Sequence, residues 1–316
     1  MTSTPHLFRA TKGFNSLADR LKRYSVGEAL TGVVGLDHCV MNKSGLMIAY
    51  EARRPPEGRP AIGVVVLAHG LNEHMGRYAH VARAMTEAGL CCYLVDHQGH
   101  GRTEGRRLDV HHFHDFTEDL LLIVRLAKRE NPDLASKVFV LGHSMGGAIA
   151  IDAVLTAPGE FRGAVFSSPA SELHPRTMTP AKFALVKVLG RVAPHLGVGD
   201  LDVSTLCRDE GVLTAYHNDP LIQHGRRLPA RLVAELLSFL DTVPKRAGEI
   251  SLPYLLIHGT ADRIVRPDSS ERFHSKTSSA DKEFLRVEGG YHELMNEDRA
   301  VLDAVVQWIA RHAQAA

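Results

Sequence analysis

The sequence holds one serine in a pattern that is typical of a catalytic nucleophile. Gly142-His143-Ser144-Met145-Gly146 follows a short apolar run and passes directly into an alanine-rich helical pattern. A serine at the tip of a sharp strand-to-helix turn exposes its hydroxyl above the strand ends, and the glycines allow strand and helix to approach closely. The pattern therefore predicts Ser144 as the nucleophile, with the Met145 N–H near any oxyanion that forms.

Such a serine needs a base, and the base needs a carboxylate that orients it. Asp262 and His292 each follow a predicted strand and a glycine turn, in the chain order that this kind of site requires. Because parallel strands end at the same edge of a sheet, we expect Ser144, Asp262 and His292 to form a catalytic triad. Asp268 and Glu288 are competing carboxylates, but the first falls in the next predicted helix and the second on the last strand.

A tetrahedral oxyanion requires two hydrogen-bond donors at about 3 Å, and each donor typically contributes ~3 kcal/mol to the transition state. Besides the Met145 N–H, the loop after the predicted strand Gly63–His69 supplies a donor, by position the N–H of Leu71. This chemistry requires neither a cofactor nor a metal ion. His69 and His74 flank the same loop, but no third ligand is near in sequence, so no zinc site is expected.

Strand-like and helix-like runs alternate through most of the chain, which predicts an α/β protein with a mainly parallel sheet and helices on both faces. The alternation breaks between the predicted strands Gly163–Ser167 and Pro253–His258. The intervening segment, Ser171 to Leu228, contains several prolines and the helical run Ala181–Val192, which is apolar nearly all round. Because such a helix must be covered or must cover something, we expect residues 171–228 to form a helical cap over the site.

The bulk composition excludes several classes of protein. The 316 residues are 44% hydrophobic and 23% charged, with a formal net charge of +1, so no nucleic-acid partner is indicated. No apolar run approaches the ~18 residues of a membrane span. Four cysteines and the lack of a secretory pattern favour a reducing, cytoplasmic location. Residues 14–24 fit a basic amphipathic helix, either packed on the body or docked on a membrane.

At these motifs the chain resembles the α/β-hydrolases and, within them, the monoacylglycerol lipase group, which is also described as lysophospholipase-like. The resemblance extends from about residue 36 to the C-terminus and leaves residues 1–35 outside it, as an N-terminal extension. The motifs that carry it are His69-Gly70-Leu71-Asn72-Glu73-His74-Met75-Gly76-Arg77-Tyr78, Asp96-His97-Gln98-Gly99-His100-Gly101, Gly142-His143-Ser144-Met145-Gly146-Gly147, Tyr216-His217-Asn218-Asp219-Pro220-Leu221, Gly259-Thr260-Ala261-Asp262 and Tyr291-His292.

The resemblance implies a central sheet of about eight strands, in a core of residues 36–170 and 229–316. It further implies an apolar acyl tunnel under the cap and a small polar pocket for glycerol. Residue by residue, that pocket falls on Glu73, Arg77 and Tyr216. The family often has a second histidine three residues after the catalytic one, where this chain has Met295. We therefore expect the leaving-group end of the site to be less polar.

The leading hypothesis is a carboxylic ester hydrolase that cleaves monoacylglycerols to fatty acid and glycerol through an acyl-enzyme. A lysophospholipase or a broad short- to medium-chain esterase is the second enzymatic hypothesis. A non-catalytic, ligand-binding scaffold is the alternative of another class, and the intact Ser, Asp and His argue against it. Epoxide hydrolases and dehalogenases of this fold carry Asp where Ser144 stands, which argues against those two activities.

The expected partner is a lipid-like ester, and the cap is expected to make transient contact with a membrane surface. Its apolar residues are expected to line the acyl path, namely Phe183, Leu185, Val186, Val188 and Leu189.

Overall fold

An eight-stranded sheet forms the centre of the molecule, as the computed structural model of residues 38–173 and 178–315 shows. The strand order is β1-β2-β4-β3-β5-β6-β9-β10, in which the pairs β1–β2 and β2–β4 are antiparallel and all pairs from β4 onward are parallel. This topology confirms the predicted mainly parallel sheet. The strands are β1 (Cys39–Met41), β2 (Met47–Arg53), β3 (Gly63–Ala68), β4 (Leu90–Val95), β5 (Val138–His143), β6 (Gly163–Ser167), β9 (Tyr254–Gly259) and β10 (Lys282–Val287).

The central strands are buried on both faces because helices cover both sides of the sheet. In β3, Val64 and Val66 join one hydrophobic cluster, whereas Val65 and Leu67 join the other, as the two-residue period of a strand requires. One face is covered by α1 (Ala79–Glu87) and α10 (Arg299–Gln314), and the other by α2 (Phe113–Glu130), α3 (Met145–Thr156) and α8 (Pro267–Lys276).

The described part of the insertion between β6 and β9, which leaves out residues 174–177, contains three helices of at least two turns. The predicted helix at Ala181–Val192 is present as α4 (Pro180–Val192), and it packs against a helix that sequence reasoning missed, α6 (Ala230–Leu240). A Cβ on Gly190 of α4 would clash with the side chain of Ala234 of α6, so glycine allows these helices to approach closely. The remaining strands and α-helices of the described residues are β7 (Gly197–Gly199), α5 (Glu210–His217), β8 (Leu228–Pro229) and the single turns α7 (Val243–Arg246) and α9 (Leu294–Glu297).

Two predictions concern membranes, namely the lack of a membrane-spanning segment and the amphipathic helix at residues 14–24. None of the helices within residues 38–173 and 178–315 combines the length and the apolar character that a bilayer span requires. The predicted amphipathic helix at residues 14–24 lies outside the described residues.

Candidate active site

Ser144 occupies a strained turn between β5 and α3. Its φ of 55° lies in the left-handed region, which is costly for a residue with a side chain. A Cβ on Gly142 would overlap the backbone of Gly146, and a Cβ on Gly146 would overlap the carbonyls at the end of β3. The glycines therefore have the role that the sequence pattern predicts, since they let strand and helix meet so tightly that the serine side chain stands at the edge of the sheet.

His292 and Asp262 meet at the same edge. The Nδ1 atom of His292 lies 2.7 Å from Oδ2 of Asp262, and the other carboxylate oxygen accepts hydrogen bonds from the N–H groups of Ile264 and Val265 at 2.8 and 3.0 Å. With Nδ1–H donating to Asp262, the Nε2 atom of His292 is left as the proton acceptor. Both Ser144 and His292 line one cavity. At the strand ends, Asp262 and His292 are thus joined by a hydrogen bond, and Ser144 shares a cavity with His292.

A second histidine, His258, also contacts the carboxylate, and sequence reasoning did not single it out. Its Nε2 lies 3.1 Å from Oδ2 of Asp262 and 3.0 Å from the carbonyl of Val265, while its Nδ1 lies 2.6 Å from the hydroxyl of Ser270. Because Nε2 faces two acceptors, it carries the proton. The signal was present in the motif Ile257-His258-Gly259, where the histidine ends a buried strand.

The surroundings shift the protonation equilibria of the site in opposite directions. Burial lowers the pKa of His292, but the charge of Asp262 and its hydrogen bond outweigh burial, so the net pKa is raised. Burial raises the pKa of Asp262, yet the charge of His292 and the hydrogen bonds of both histidines hold it below its usual value. His143, the residue before Ser144, has its ring 4.7 Å from that of His292, and burial followed by the charge of His292 lowers its pKa to about 3. His143 therefore stays neutral.

The competing carboxylates lie elsewhere. Asp268 forms ion pairs with Arg266 at 2.7 Å and with Arg272 at 3.2 Å. Glu288 is exposed at the end of β10. Among the residues that the structure describes, neither carboxylate forms a hydrogen bond or an ion pair with His292. Geometry therefore favours Asp262 as the orienting carboxylate.

The two predicted oxyanion donors line the same cavity as Ser144. Within the described part of the chain, neither the Leu71 N–H nor the Met145 N–H donates to a protein acceptor. Asn72, the next residue along the loop, has a φ of 55° and is tied to the insertion. Its Oδ1 accepts from the N–H of Gln223 at 2.9 Å, and its Nδ2 donates to the hydroxyl of Tyr216 at 3.1 Å. The insertion thus holds the loop that carries the Leu71 N–H.

The cavity beside Ser144 has a volume of about 240 Å³ and mostly apolar walls. Glu172, Arg266 and Arg272 bring charge to it. The apolar lining comes from the core loops, from α6 and from the segment after β7, namely Leu71, Met145, Ala170, Leu173, Leu201, Leu206, Leu236, Leu240, Ile264 and Val265.

Helix α4 contributes none of the described lining residues. Leu185 and Val188 are instead 58% and 54% exposed, on the outer side of the insertion. The prediction that these two residues, together with Phe183, Val186 and Leu189, line the acyl path is therefore wrong. The physical reason is that α6 lies between α4 and the cavity, and its Leu236 and Leu240 form the wall.

Of the three residues implied for a glycerol pocket, Glu73 alone is part of the described cavity lining. Arg77 lies behind Glu73, with its Nη1 2.9 Å from Oε2 of that carboxylate. Tyr216 is buried and covers the guanidinium, whose carbon lies 4.9 Å from the ring centre. Met295, at the position of the family's second histidine, packs in a hydrophobic cluster. Glu293, which sequence reasoning missed, binds Arg77 through two hydrogen bonds of 2.6 and 2.8 Å.

Comparison with known proteins gives matches over most of the chain. The family model Hydrolase_4, described as serine aminopeptidase, S33, matches residues 59–299. A monoacylglycerol lipase of Mycolicibacterium smegmatis is 38% identical over 278 residues, covering 87% of this chain and 97% of the relative. The monoglyceride lipase of Homo sapiens is 35% identical over 265 residues, covering 83% and 86%. The crystal structure of the Paleococcus ferrophilus monoacylglycerol lipase matches with a TM-score of 0.73 and 31% identity, covering 84% of this chain and 99% of that one.

Proposed function

Since the chain belongs to the serine aminopeptidase S33 family and is a serine hydrolase of the α/β-hydrolase fold, we propose that it cleaves monoacylglycerols to fatty acid and glycerol. The observation that carries the proposal is the cavity: Ser144 and His292 share it with a wall of leucines. A nucleophile and a base beside an apolar cavity suit the ester of a single acyl chain. The names of the relatives support the same substrate class.

In the proposed mechanism, His292 accepts the proton of Ser144 through Nε2 while the serine oxygen attacks the ester carbonyl. Asp262 holds the histidine in the required tautomer and stabilises the imidazolium that forms. The N–H groups of Leu71 and Met145 donate to the oxyanion. His292 then gives its proton to the departing alcohol. In the second half of the reaction, water attacks the acyl-enzyme while His292 accepts its proton, and His292 returns that proton to Ser144 as the fatty acid leaves.

Chain-length profiles distinguish this function from its alternatives. We expect kcat/KM to rise along a series of monoacylglycerols until the acyl chain fills the cavity, and to exceed the values for lysophosphatidylcholine and p-nitrophenyl acetate. Higher values for lysophosphatidylcholine favour a lysophospholipase, and a flat profile favours a broad esterase. Failure of a fluorophosphonate to label the protein would indicate a non-catalytic scaffold.

The wall residue Leu236 offers a direct test of the acyl path. Leu236→Asp is expected to lower kcat/KM for a long-chain monoacylglycerol about tenfold to a hundredfold, because each acyl CH₂ that loses its apolar cover forfeits up to ~0.8 kcal/mol. Activity on p-nitrophenyl acetate should change little, because an acetyl group does not reach the wall. An equal loss on both esters would show that Leu236 supports the fold and not the acyl path.

The outer side of α4 supports a finer proposal, transient contact with a membrane surface. Leu185, Val188 and Val192 of α4 are more than half exposed and lie three and four positions apart, so they form an apolar outer face, and Leu196 just after the helix is 50% exposed. On this basis the enzyme withdraws its substrate from a lipid surface. The cytoplasmic location of the protein stays a prediction from cysteine usage.

Replacing two residues of this outer face tests the contact. Leu185→Asp combined with Val188→Asp should lower activity about tenfold or more on monoacylglycerol held in phospholipid vesicles. The reason is that burial of each native apolar side chain in the lipid surface stabilises the contact by ~1.5–3 kcal/mol. Activity on the same ester below its aggregation concentration serves as the control and should be unchanged. If sedimentation with vesicles and vesicle activity both match the wild type, the outer face does not bind lipid.

A further inference from the structure

A buried ionic cluster lies directly behind the cavity. The N–H groups of both terminal nitrogens of Arg77 donate hydrogen bonds to the carboxylate of Glu293, and Nη1 also lies 2.9 Å from Oε2 of Glu73. The side chains of all three are at most 8% exposed. Tyr216 covers the face of the guanidinium, and Asn296 donates to Glu293 at 2.8 Å. Glu73 extends from this cluster into the cavity that contains Ser144.

The cluster contains one more acidic group than basic groups. Burial raises the pKa of Glu293, but its hydrogen bond to Arg77 and the charge of that residue lower the net value, so Glu293 is ionised. Burial raises the pKa of Glu73 and the charge of Glu293 adds to this, against the opposing charge of Arg77. Glu293 therefore compensates the charge of Arg77. Glu73 is the carboxyl group of the cluster that faces the cavity.

Glu293 is also the residue that follows His292. Its N–H donates to the carbonyl of Leu206 at 2.8 Å, which fixes this loop against the insertion. When Ser144 gives up its proton, His292 becomes an imidazolium, and a buried negative charge nearby stabilises it. The charge of Glu293 adds to that of Asp262, the direct partner of the imidazole, in raising the pKa of His292. In the part of the chain that the structure describes, several titratable and charged groups surround His292. They are Asp262 and His258 from the end of β9, His143 from the turn between β5 and α3, Glu73 from the oxyanion loop (residues 69–74), Arg77 from the turn after that loop, Glu293 itself, and Glu172, Arg266 and Arg272 from the lining of the shared cavity.

We propose that Glu293 is a positioning residue of this hydrolase with two effects. It fixes Arg77, which in turn aims the Glu73 carboxyl group at the alcohol part of the substrate, and its charge stabilises the His292 imidazolium. This inference rests on the proposed function, because it takes Ser144 and His292 as nucleophile and base. It explains how the polar end of the cavity is organised although Met295 brings no polar group to it.

Glu293→Gln tests the proposal, because it removes the charge and keeps the shape. The base must be neutral to act, so kcat/KM rises as pH increases through the pKa of His292. Without the Glu293 charge that pKa falls, and the acid limb should move about half a unit to one unit toward lower pH. At the pH optimum, kcat should fall about tenfold. The preference for a monoacylglycerol over the methyl ester of the same acid should also decrease.

Two further variants complete the experiment. Glu271→Gln removes a glutamate that pairs with Arg286 on the surface, and it should leave the acid limb, kcat and substrate preference unchanged. Glu293→Asp keeps the charge but shortens the reach to Arg77, so the acid limb should stay near the wild type while the preference for the glycerol ester falls. This variant decides the matter even where Glu293→Gln does not fold.

The outcomes are distinguishable from those that concern the proposed function. If a fluorophosphonate fails to label wild-type Ser144, the assignment of the nucleophile fails and the inference about Glu293 fails with it. With labelling intact, an unchanged acid limb and an unchanged ester preference in Glu293→Gln overturn the role of Glu293 alone. A lower Tm without these two changes means that the cluster only stabilises the fold.

Discussion

Replacing Ser144 with alanine is expected to lower kcat by about four to six orders of magnitude, because the variant lacks the hydroxyl that forms the acyl-enzyme in the proposed mechanism. The residual rate comes from the oxyanion donors and from binding, which remain. The substitution removes one hydroxyl and keeps the backbone, so the variant should fold, and its Tm should stay close to that of the wild type. Steady-state hydrolysis of a monoacylglycerol and thermal unfolding measure the two quantities.

A matched control is Ser204→Ala, which removes an exposed hydroxyl in the insertion. A fluorophosphonate should label the wild type and Ser204→Ala, and it should fail to label Ser144→Ala. Turnover of Ser144→Ala within tenfold of the wild type would remove Ser144 from the mechanism. Labelling of this variant at a different residue would show that another nucleophile reacts.

Asp262→Asn is expected to lower kcat about 10⁴-fold, although it exchanges one atom for another of nearly the same size. The N–H groups of Ile264 and Val265 fix the carbonyl oxygen of the new amide, because both donate to Oδ1 of Asp262. The amide NH₂ then faces Nδ1 of His292 and takes the place of an acceptor. The histidine must adopt the other tautomer, with its proton on Nε2, and it cannot accept the proton of the serine.

The competing carboxylates supply the controls for this result. Asp268→Asn and Glu288→Gln should each retain activity within a few fold, because Asp268 pairs with Arg266 and Arg272 and Glu288 is exposed. Measurement of kcat for the three variants on one ester is sufficient. A mild effect of Asp262→Asn together with a severe effect of Asp268→Asn would overturn the carboxylate assignment.

The features that the sequence predicted well are those with local causes. An uninterrupted apolar run such as β3 indicates a strand buried on both faces, and a glycine turn at its end indicates where a loop begins. The chain order of Ser144, Asp262 and His292 adds the only long-range information needed, because parallel strands deliver their following loops to one edge. The sheet is confirmed by the structure, and the roles of the three residues stay predictions.

The features that the sequence did not predict depend on tertiary contacts. The apolar character of α4 predicts a helix that faces the acyl path, but nothing local indicates that α6 lies between that helix and the cavity. Glu293 gives no signal either, since a glutamate beside a loop histidine is ordinarily solvated. Its burial follows from a partner 216 positions earlier in the chain, Arg77, and such a pairing is not contained in any short segment.

The ties between the oxyanion loop and the insertion also bear on how such enzymes can be recombined. Asn72 is hydrogen-bonded to Tyr216 and Gln223, and His74 lies 2.7 Å from Asp219. Residues 216–223 are therefore attached to the core by these hydrogen bonds, although they lie inside the insertion in the sequence. A chimera that exchanges the insertion as one block would leave Asn72 in a left-handed conformation without its partners. Working crossover points lie on either side of this segment, or else Asn72 and His74 have to be transferred together with it.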